Sequence, residues 1–150
     1  MPGGSLSEKL KFEFLEHRAD AYIAAYGKSL KEAFENAALA TFETMTDTSR
    51  IAPKLEAKVE TEGSDEKALL YNWLETLLVL FETTETLYFQ FEITNLQRTN
   101  ECYQLTAKVC GERFDPGKHV SRVGVKAVTY HRMAIERKPD KVTVKFILDI

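Results

Sequence analysis

Hydrophobic and polar positions follow a helical repeat in the first half of the chain. From position 30 to position 45, apolar residues recur every three or four positions. Ser29 directly precedes this run, and Glu32 is the third residue within it. This is the spacing of a capping box, in which the two side chains accept hydrogen bonds from main-chain N–H groups at the start of the helix. The pattern predicts a helix that buries one face.

A second amphipathic run follows Gly63 and Ser64. Asp65 and Glu66 occupy its first turn, where negative charge is favourable because of the helix dipole. Its apolar positions again fall on one side, which predicts a helix that packs on a sheet. These positions are Leu70, Trp73, Leu74, Leu77, Leu78 and Phe81.

The rest of the chain alternates apolar and polar residues between turn-forming residues, as half-buried strands do. Two short strands precede the first helix, one lies between the helices, and four follow the second. Because the late strands are joined by short turns, antiparallel pairing is favoured. The predicted strands are Lys11–Leu15, Tyr22–Tyr26, Leu55–Thr61, Leu87–Leu96, Tyr103–Cys110, Gly124–Glu136 and Val142–Leu148.

This order of elements predicts an α+β fold, with two helices packed on a mixed, mostly antiparallel β-sheet in a single compact domain. The length of 150 residues and the 44% hydrophobic content fit one domain with a substantial core. We expect residues 1–10 to form a flexible N-terminal tail and residues 11–150 to form the domain.

Charge is unevenly distributed along the chain. The net charge is −3, yet residues 108–138 contain eight Lys and Arg against three Asp and Glu. This basic segment could contact RNA phosphates or an acidic protein face, and a solvated basic strand pair explains it equally well. No stretch is long and apolar enough for a membrane span or a signal peptide, so we expect a cytoplasmic protein without a membrane partner.

Two features near the end of the sequence have unusual chemistry. Lys126 lies in an otherwise apolar strand, and Asp149 ends the apolar last strand, directly before Ile150. If Asp20, at a loop-to-strand junction, approached this end, the clustered carboxylates would repel one another and favour a hard cation such as Ca²⁺, Mg²⁺ or Mn²⁺. The ordinary alternatives are a lysine whose stem packs on the sheet, a loop-capping Asp20 and a solvated Asp149.

Signatures of catalysis are missing from the sequence. It contains no glycine-rich phosphate loop, no nucleophile elbow, no Cys-x-x-Cys and no paired zinc ligands. Cys102 and Cys110 bracket one strand, too far apart for a disulfide. His17 and Asp20 alone are a weak transition-metal pair. A metal-dependent hydrolase built on Asp20 and Asp149 would lack an evident general base.

Several separate blocks, in order, resemble the archease family over nearly the whole chain after the first ten residues. They are His17-Arg-Ala-Asp20, the segment from Tyr26 to Ala40, Met45-Thr-Asp47, Gly111-Glu-x-Phe114, Lys118-His119, Val125-Lys-Ala-Val-Thr-Tyr130 and the terminal Asp149-Ile150. Arg18 departs from the family pattern, which has threonine there. An arginine at this position could pair with Asp20 or contact a phosphate.

The resemblance implies a protein that is not an enzyme but an accessory factor in tRNA splicing. It would activate an RtcB-type RNA ligase by promoting guanylylation of the ligase's active-site histidine and supporting multiple turnover. It also implies a divalent metal, commonly Ca²⁺, held by Asp20, Asp149 and Ile150, and a requirement for Lys126 in ligase activation.

The sequence is also compatible with two other functions. The first, also associated with the family, is a chaperone-like modulator of a tRNA methyltransferase. The second is an RNA-binding module that uses the basic segment for direct tRNA binding, although the overall acidity of the chain makes this less attractive.

Overall fold

The computed structural model of the chain describes residues 10–17 and 20–150, without the side chains of Glu16 and His17. The predicted tail lies outside the described residues except for Leu10, and Arg18 lies outside them too. In the described part, seven strands and two long helices appear in the predicted order. The strands are β1 (Phe12–His17), β2 (Asp20–Gly27), β3 (Leu55–Gly63), β4 (Thr86–Arg98), β5 (Tyr103–Arg113), β6 (Ala127–Lys138) and β7 (Lys141–Asp149).

The described strands form two sheets rather than one. The first has the order β1-β2-β7-β6, and the second has the order β3-β5-β4. Every pairing among these strands is antiparallel. The predicted α+β class, with two helices packed on antiparallel strands in one compact domain, is therefore confirmed. The division into two sheets is the detail that the strand pattern did not show.

Helix α1 (Leu30–Met45) and helix α2 (Glu66–Thr84) join the two sheets into one core. Helix α1 packs on β2 and β7 of the first sheet and beside β4 of the second, whereas α2 packs on β3 and beside β6. The indole Nε1 of Trp73 donates a hydrogen bond to the Phe34 carbonyl at 2.9 Å, which connects the two helices inside the core. Both side chains are fully buried.

The predicted helix starts are confirmed in atomic detail. The Ser29 hydroxyl accepts a hydrogen bond from the Glu32 N–H at 3.1 Å, while the Glu32 carboxylate accepts one from the Lys28 N–H at 2.7 Å. Asp65, which was predicted in the first turn, is the N-cap residue of α2 instead and accepts a hydrogen bond from the Ala68 N–H at 2.8 Å. These caps satisfy N–H groups that have no partner within the helix.

Helix α1 runs antiparallel to β2, which precedes it. Because β2 begins at Asp20 and ends at Gly27, the carboxyl end of α1 returns to the level of Asp20. A short 3-10 helix (Thr48–Arg50) follows at this end. The topology thus gathers the start of β2, the end of α1 and the end of β7 at one end of the molecule.

The predicted alternation of faces is wrong in strand β6. The alternation predicts Val125, Ala127, Thr129, His131 and Met133 on one face, but Val128 and Met133 are both buried. Strand β6 pairs Thr129 with Ile147 and Ala134 with Lys145, so five residue steps along β6 match two steps along β7. The three extra residues form a bulge that resets the alternation. The strand also begins at Ala127, three residues later than predicted.

In the described part of the chain, no helix is both long enough and apolar enough to cross a membrane.

Candidate functional site

Two acidic residues face each other at the end of the first sheet. Asp20 is the first residue of β2 and Asp149 the last of β7, and they are direct partners in the antiparallel register. Directly opposed residues have Cβ atoms about 4.5–5.5 Å apart and point to the same face of the sheet. The predicted approach of Asp20 to Asp149 therefore occurs through strand pairing.

This acidic pair lies on the outer face of the sheet, away from the helices. The neighbours of Asp20 and Asp149 along their strands, Ala21 and Leu148, are buried and point into the core, so the acids themselves point outward. Asp20 is exposed and Asp149 is half-buried. On its other side Asp149 pairs with Ala127, whose small side chain leaves room beside the carboxylates.

The main chain of Lys126 is attached directly to this pair. Its N–H donates a hydrogen bond to the carbonyl oxygen of Asp149 at 2.7 Å, and its side chain is exposed. Ile150 follows Asp149 and is half-buried. Asp20, Asp149, Ile150 and Lys126 are thus brought together at one end of the sheet, and we call this group the acidic tip.

A third feature of the same face, absent from the sequence predictions, is a cation–π contact between Arg132 and Tyr22. The guanidinium of Arg132 lies 4.3 Å from the centroid of the Tyr22 ring, and Tyr22 is two residues along β2 from Asp20. Arg132 reaches this position from the β6 bulge, where it adopts a left-handed φ of 59°. Such a conformation costs about 1–2 kcal/mol for a residue with a Cβ. Sequence alternation gave no signal for a bulge without glycine.

Residues 114–126, which we call the β5–β6 connection, lead into Lys126 from the end of β5. A buried side-chain cluster fixes the first part of this segment. The His119 side chain is fully buried, its Nε2 lies 2.9 Å from Oε1 of Glu112, and its Nδ1 accepts a hydrogen bond from the Asp115 N–H at 2.9 Å. Because Nδ1 accepts, Nε2 carries the proton and donates to Glu112.

Glu112 is the centre of this cluster. The same carboxylate oxygen accepts hydrogen bonds from Nζ of Lys118 at 2.6 Å and from the Ala52 N–H at 2.9 Å, and Nζ of Lys54 lies 3.5 Å from the other oxygen. The Lys118 hydrogen bond is the main cause of a lowered pKa of Glu112, about 2. The sequence placed Lys118-His119 and Glu112 in the resembling blocks and counted Lys118 and His119 in the basic segment, but it did not predict that they contact one another.

The second part of the connection is bound to the carboxyl end of helix α1. The Thr46 hydroxyl donates to the Val120 carbonyl at 2.6 Å, and the Arg122 N–H donates to the Met45 carbonyl at 2.9 Å. The Arg122 guanidinium donates to the Glu43 carbonyl at 2.9 Å and also contacts the Glu43 carboxylate. The connection therefore has fixed partners along most of its length before it reaches Lys126.

The chemistry of the acidic tip fits a hard divalent cation. Two carboxylates on one face repel each other, and a cation between them removes that repulsion. Oxygen ligands select Ca²⁺, Mg²⁺ or Mn²⁺ over zinc. Within residues 10–17 and 20–150, no group of three or more His, Cys, Asp or Glu side chains could hold an ion. Further ligands would therefore be main-chain oxygens, such as those of Ile150, and water.

The predicted basic segment does not form one open cationic surface. Lys108 contacts Glu92 at 3.5 Å, Lys118 contacts Glu112, and Arg122 contacts Glu43. Such pairing reduces the attraction that these cations exert on phosphates. A groove of about 1470 Å³ lies at the opposite end of β2 from the acidic tip, next to Tyr26 and Lys141, and brings none of the predicted site residues together.

Comparison with known proteins gives consistent matches over almost the whole chain. The Archease protein family matches residues 12–150. A protein archease from Sulfurisphaera tokodaii is 49% identical over 140 residues, covering 93% of this chain and 99% of its own length. A protein archease from Methanosarcina acetivorans is 36% identical over 144 residues, covering 96% of this chain and 99% of its own length.

Two solved structures share the fold. The solution structure of protein 1598 from Methanobacterium thermoautotrophicum has a TM-score of 0.82 and 40% identity, covering 93% of this chain and 99% of its own. The crystal structure of an archease from Thermotoga maritima, described as a possible chaperone, has a TM-score of 0.52 and 18% identity, covering 92% and 96%. At that identity the second structure supports the fold alone.

Proposed function

The chain belongs to the archease family, and from this membership we propose that it is an accessory protein that activates an RtcB-type RNA ligase. It promotes guanylylation of the ligase and supports multiple turnover in tRNA splicing, without making or breaking bonds itself. Its place of action is the cytoplasm. The observation that carries this proposal is the opposition of Asp20 and Asp149 beside Lys126.

The acidic tip has the properties required of a group that enters another protein's polar active site. It is small, lies at the end of a sheet, and is held by strand hydrogen bonds instead of by a free loop. Groups fixed by main-chain pairing lose little freedom on binding, and this allows precise positioning of a reacting group. The contribution of this protein would be positioning and electrostatic stabilisation.

Asp20, Asp149 and the main-chain oxygens of Ile150 would hold a divalent metal, with Ca²⁺ as the proposed ion. A bound divalent cation would supply positive charge at the tip. Without it, the two carboxylates would repel the phosphates of a nucleotide. The carboxylates would therefore orient the ion. The tip would be compatible with an anionic site only when the two carboxylates and the ion are all in place.

Lys126 would supply a second positive charge next to the carboxylates. Its main chain is fixed to Asp149, while its exposed side chain keeps the reach of a flexible ammonium group. This combination suits contact with a phosphate or with an acidic group of the ligase. Since only the main chain of Lys126 is hydrogen-bonded to Asp149, loss of the ammonium should leave the proposed metal ligands in place.

The test mixes this protein with a matched RtcB-type ligase, GTP and a divalent metal, and follows covalent guanylylation of the ligase over time. We expect the protein to accelerate guanylylation and to allow more than one turnover per ligase. Single substitutions Asp20→Ala, Asp149→Ala and Lys126→Ala should each remove most of the stimulation. A competent ligase whose rate does not change would overturn the proposal and favour a tRNA methyltransferase as the partner.

A further inference from the structure

Exposed apolar side chains are concentrated in the β5–β6 connection. Of the eight large hydrophobic residues that are exposed in the described part of the chain, three lie in this segment of thirteen residues. Val120 and Val123 expose 49% and 47% of their surface, and Phe114 exposes 37%. Single exposed apolar residues are ordinary, whereas a group within one segment indicates an interaction surface.

The connection is rigid although it contains no strand or helix. It is fixed by the Glu112–His119 pair, by the Thr46 and Met45 contacts at the end of α1, and by the Lys126 hydrogen bond to Asp149. Connections of this length without regular structure are uncommon and usually functional. A surface that is held in one conformation before binding loses little conformational entropy when a partner binds.

One of the exposed valines, Val123, lies close to the acidic tip. Val123 precedes Lys126 by three residues, which an extended chain spans in about 11 Å or less. A partner that contacts Lys126 and the carboxylates would therefore also cover Val123. The exposed ammonium of Lys126 at this border favours an acidic group on that partner.

The chemistry of the connection fits a protein better than a nucleic acid. An RNA-binding surface offers cations and exposed aromatic rings to phosphates and bases. Here two of the three large apolar side chains that are exposed, Val120 and Val123, are aliphatic, and two of the three cations are already paired with Glu112 and Glu43. Aliphatic side chains have no favourable contact with phosphates but contribute to the apolar centre of a protein interface.

We propose that the β5–β6 connection is the docking surface for a protein partner, with Val120 and Val123 inserted into an apolar surface that has an acidic border. This inference rests on the proposed function for the identity of the partner, which is the ligase. The acidic tip acts on the ligase active site, and the connection binds the rim around it. Affinity and stimulation are then carried by different residues.

The experiment compares the wild-type protein with the double variant Val120→Ser/Val123→Ser. Direct binding to the ligase is measured by calorimetry, and guanylylation is measured over a range of protein concentrations. Two half-exposed valines correspond to about one fully buried side chain, so the dissociation constant should rise about tenfold or more. The concentration for half-maximal stimulation should rise in parallel, while the maximal rate at saturation stays unchanged.

Val79→Ser is the matched control. Val79 exposes 48% of its surface but lies on helix α2, outside the connection, so the same loss of apolar area should leave binding unchanged. Because all three valines are about half exposed, the variants should unfold at temperatures close to the wild type. A thermal scan of each variant confirms that the proteins compared are folded.

The outcomes separate this inference from the proposed function. If the wild type stimulates the ligase and the double variant binds and stimulates equally well, the docking surface is wrong and the proposed function stands. If the wild type binds without stimulating and the double variant binds less tightly, the proposed function fails and the docking surface stands. Absence of ligase binding by the wild type overturns both. Weaker tRNA binding by the double variant, with ligase binding unchanged, would make the connection an RNA surface and also overturn the inference.

Discussion

Asp20 and Asp149 lie directly opposite each other on β2 and β7, with their carboxylates on the same outer face of the sheet. Like charges in such a pair destabilise the folded state, because the strand register fixes their separation. The chain therefore keeps an unfavourable contact at the end of its first sheet. The proposed cation would convert that contact into a ligand pair.

Removing one of the two acids should raise stability when no metal is present. In a chelator, Asp20→Asn should increase the free energy of unfolding by about 0.5 kcal/mol, because it ends the repulsion with Asp149. In excess Ca²⁺ the wild type should be stabilised by roughly 2–3 kcal/mol at a hundredfold excess over the dissociation constant, and the variant should gain much less. Thermal and urea unfolding with and without Ca²⁺ measure both effects. A variant that gains as much from Ca²⁺ as the wild type would exclude Asp20 as a ligand.

The ammonium group of Lys126 should matter for activation but not for metal binding. Lys126→Ala should lower ligase stimulation at least tenfold, and the Ca²⁺-dependent rise in unfolding temperature should persist, since only the Lys126 main chain contacts Asp149. Lys138→Ala provides the control, because Lys138 is also exposed but lies at the other end of β6. Equal losses for both variants would point to a general charge effect.

Acid should weaken the cluster that holds the β5–β6 connection. The pKa of Glu112 falls from the ordinary 4.5 to about 2 in the folded protein, chiefly because of the hydrogen bond from Lys118. A lowered folded-state pKa contributes stability that is complete above the unfolded value and is lost as the pH falls from about 5 to about 2. Urea unfolding across this range should therefore show a steeper loss for the wild type than for Glu112→Gln. Parallel profiles would remove Glu112 as a source of acid sensitivity.

The ring of His119 should carry its proton on Nε2. Nδ1 accepts the Asp115 N–H and Nε2 faces Glu112, so the other tautomer would lose both hydrogen bonds. Nitrogen chemical shifts of the imidazole at pH 8 distinguish the two forms. An Nδ1–H signal would contradict this arrangement, and His119→Phe should unfold at a lower temperature because Glu112 loses a partner while buried.

Replacing Gly111 by any larger residue should destabilise the folded protein. A Cβ at this position would lie 1.8 Å from the Leu87 carbonyl oxygen and 2.8 Å from the Tyr88 Cα, because β4 crosses close to β5 there. Gly111→Ala should therefore reduce the free energy of unfolding by more than about 2 kcal/mol, as urea titration would measure. Gly124→Ala is the control, since its Cβ would meet no atom within 4 Å, and its effect should stay within about 0.5 kcal/mol.

Regular patterns in the sequence were sufficient to predict the helices and strands and to single out the residues of the acidic tip. The helix that starts after Ser29 and the order of the strands followed from periodicity, capping residues and turns. Asp20 was predicted at a loop-to-strand junction, and it is the first residue of β2. Its pairing with Asp149 was a hypothesis, because sequence alternation defines which face a residue occupies but not which strand lies beside it.

The bulge in β6 shows why the rest of the site could not be predicted. Side chains alternate between the two faces only while the residues of two strands pair one to one. In β6 this pairing stops after Thr129, where three extra residues, none of them glycine, form the bulge. Arg132 reaches Tyr22 across the sheet for this reason. The Glu112–His119 pair and the contacts from Arg122 to α1 join residues that are separated by irregular chain, where no period exists to be read.

By itself, the sequence determined which segments are helices and strands and that they form one α+β domain. It also determined which family the chain resembles. Each of these results depends on local spacing or on short motifs in a fixed order. Only the tertiary structure decided that the strands divide into two sheets, that Asp20 and Asp149 are partners, and that the β5–β6 connection is fixed while Val120 and Val123 remain exposed. These relationships depend on long-range hydrogen bonds and packing, which join residues far apart in the chain and leave no periodic pattern in it.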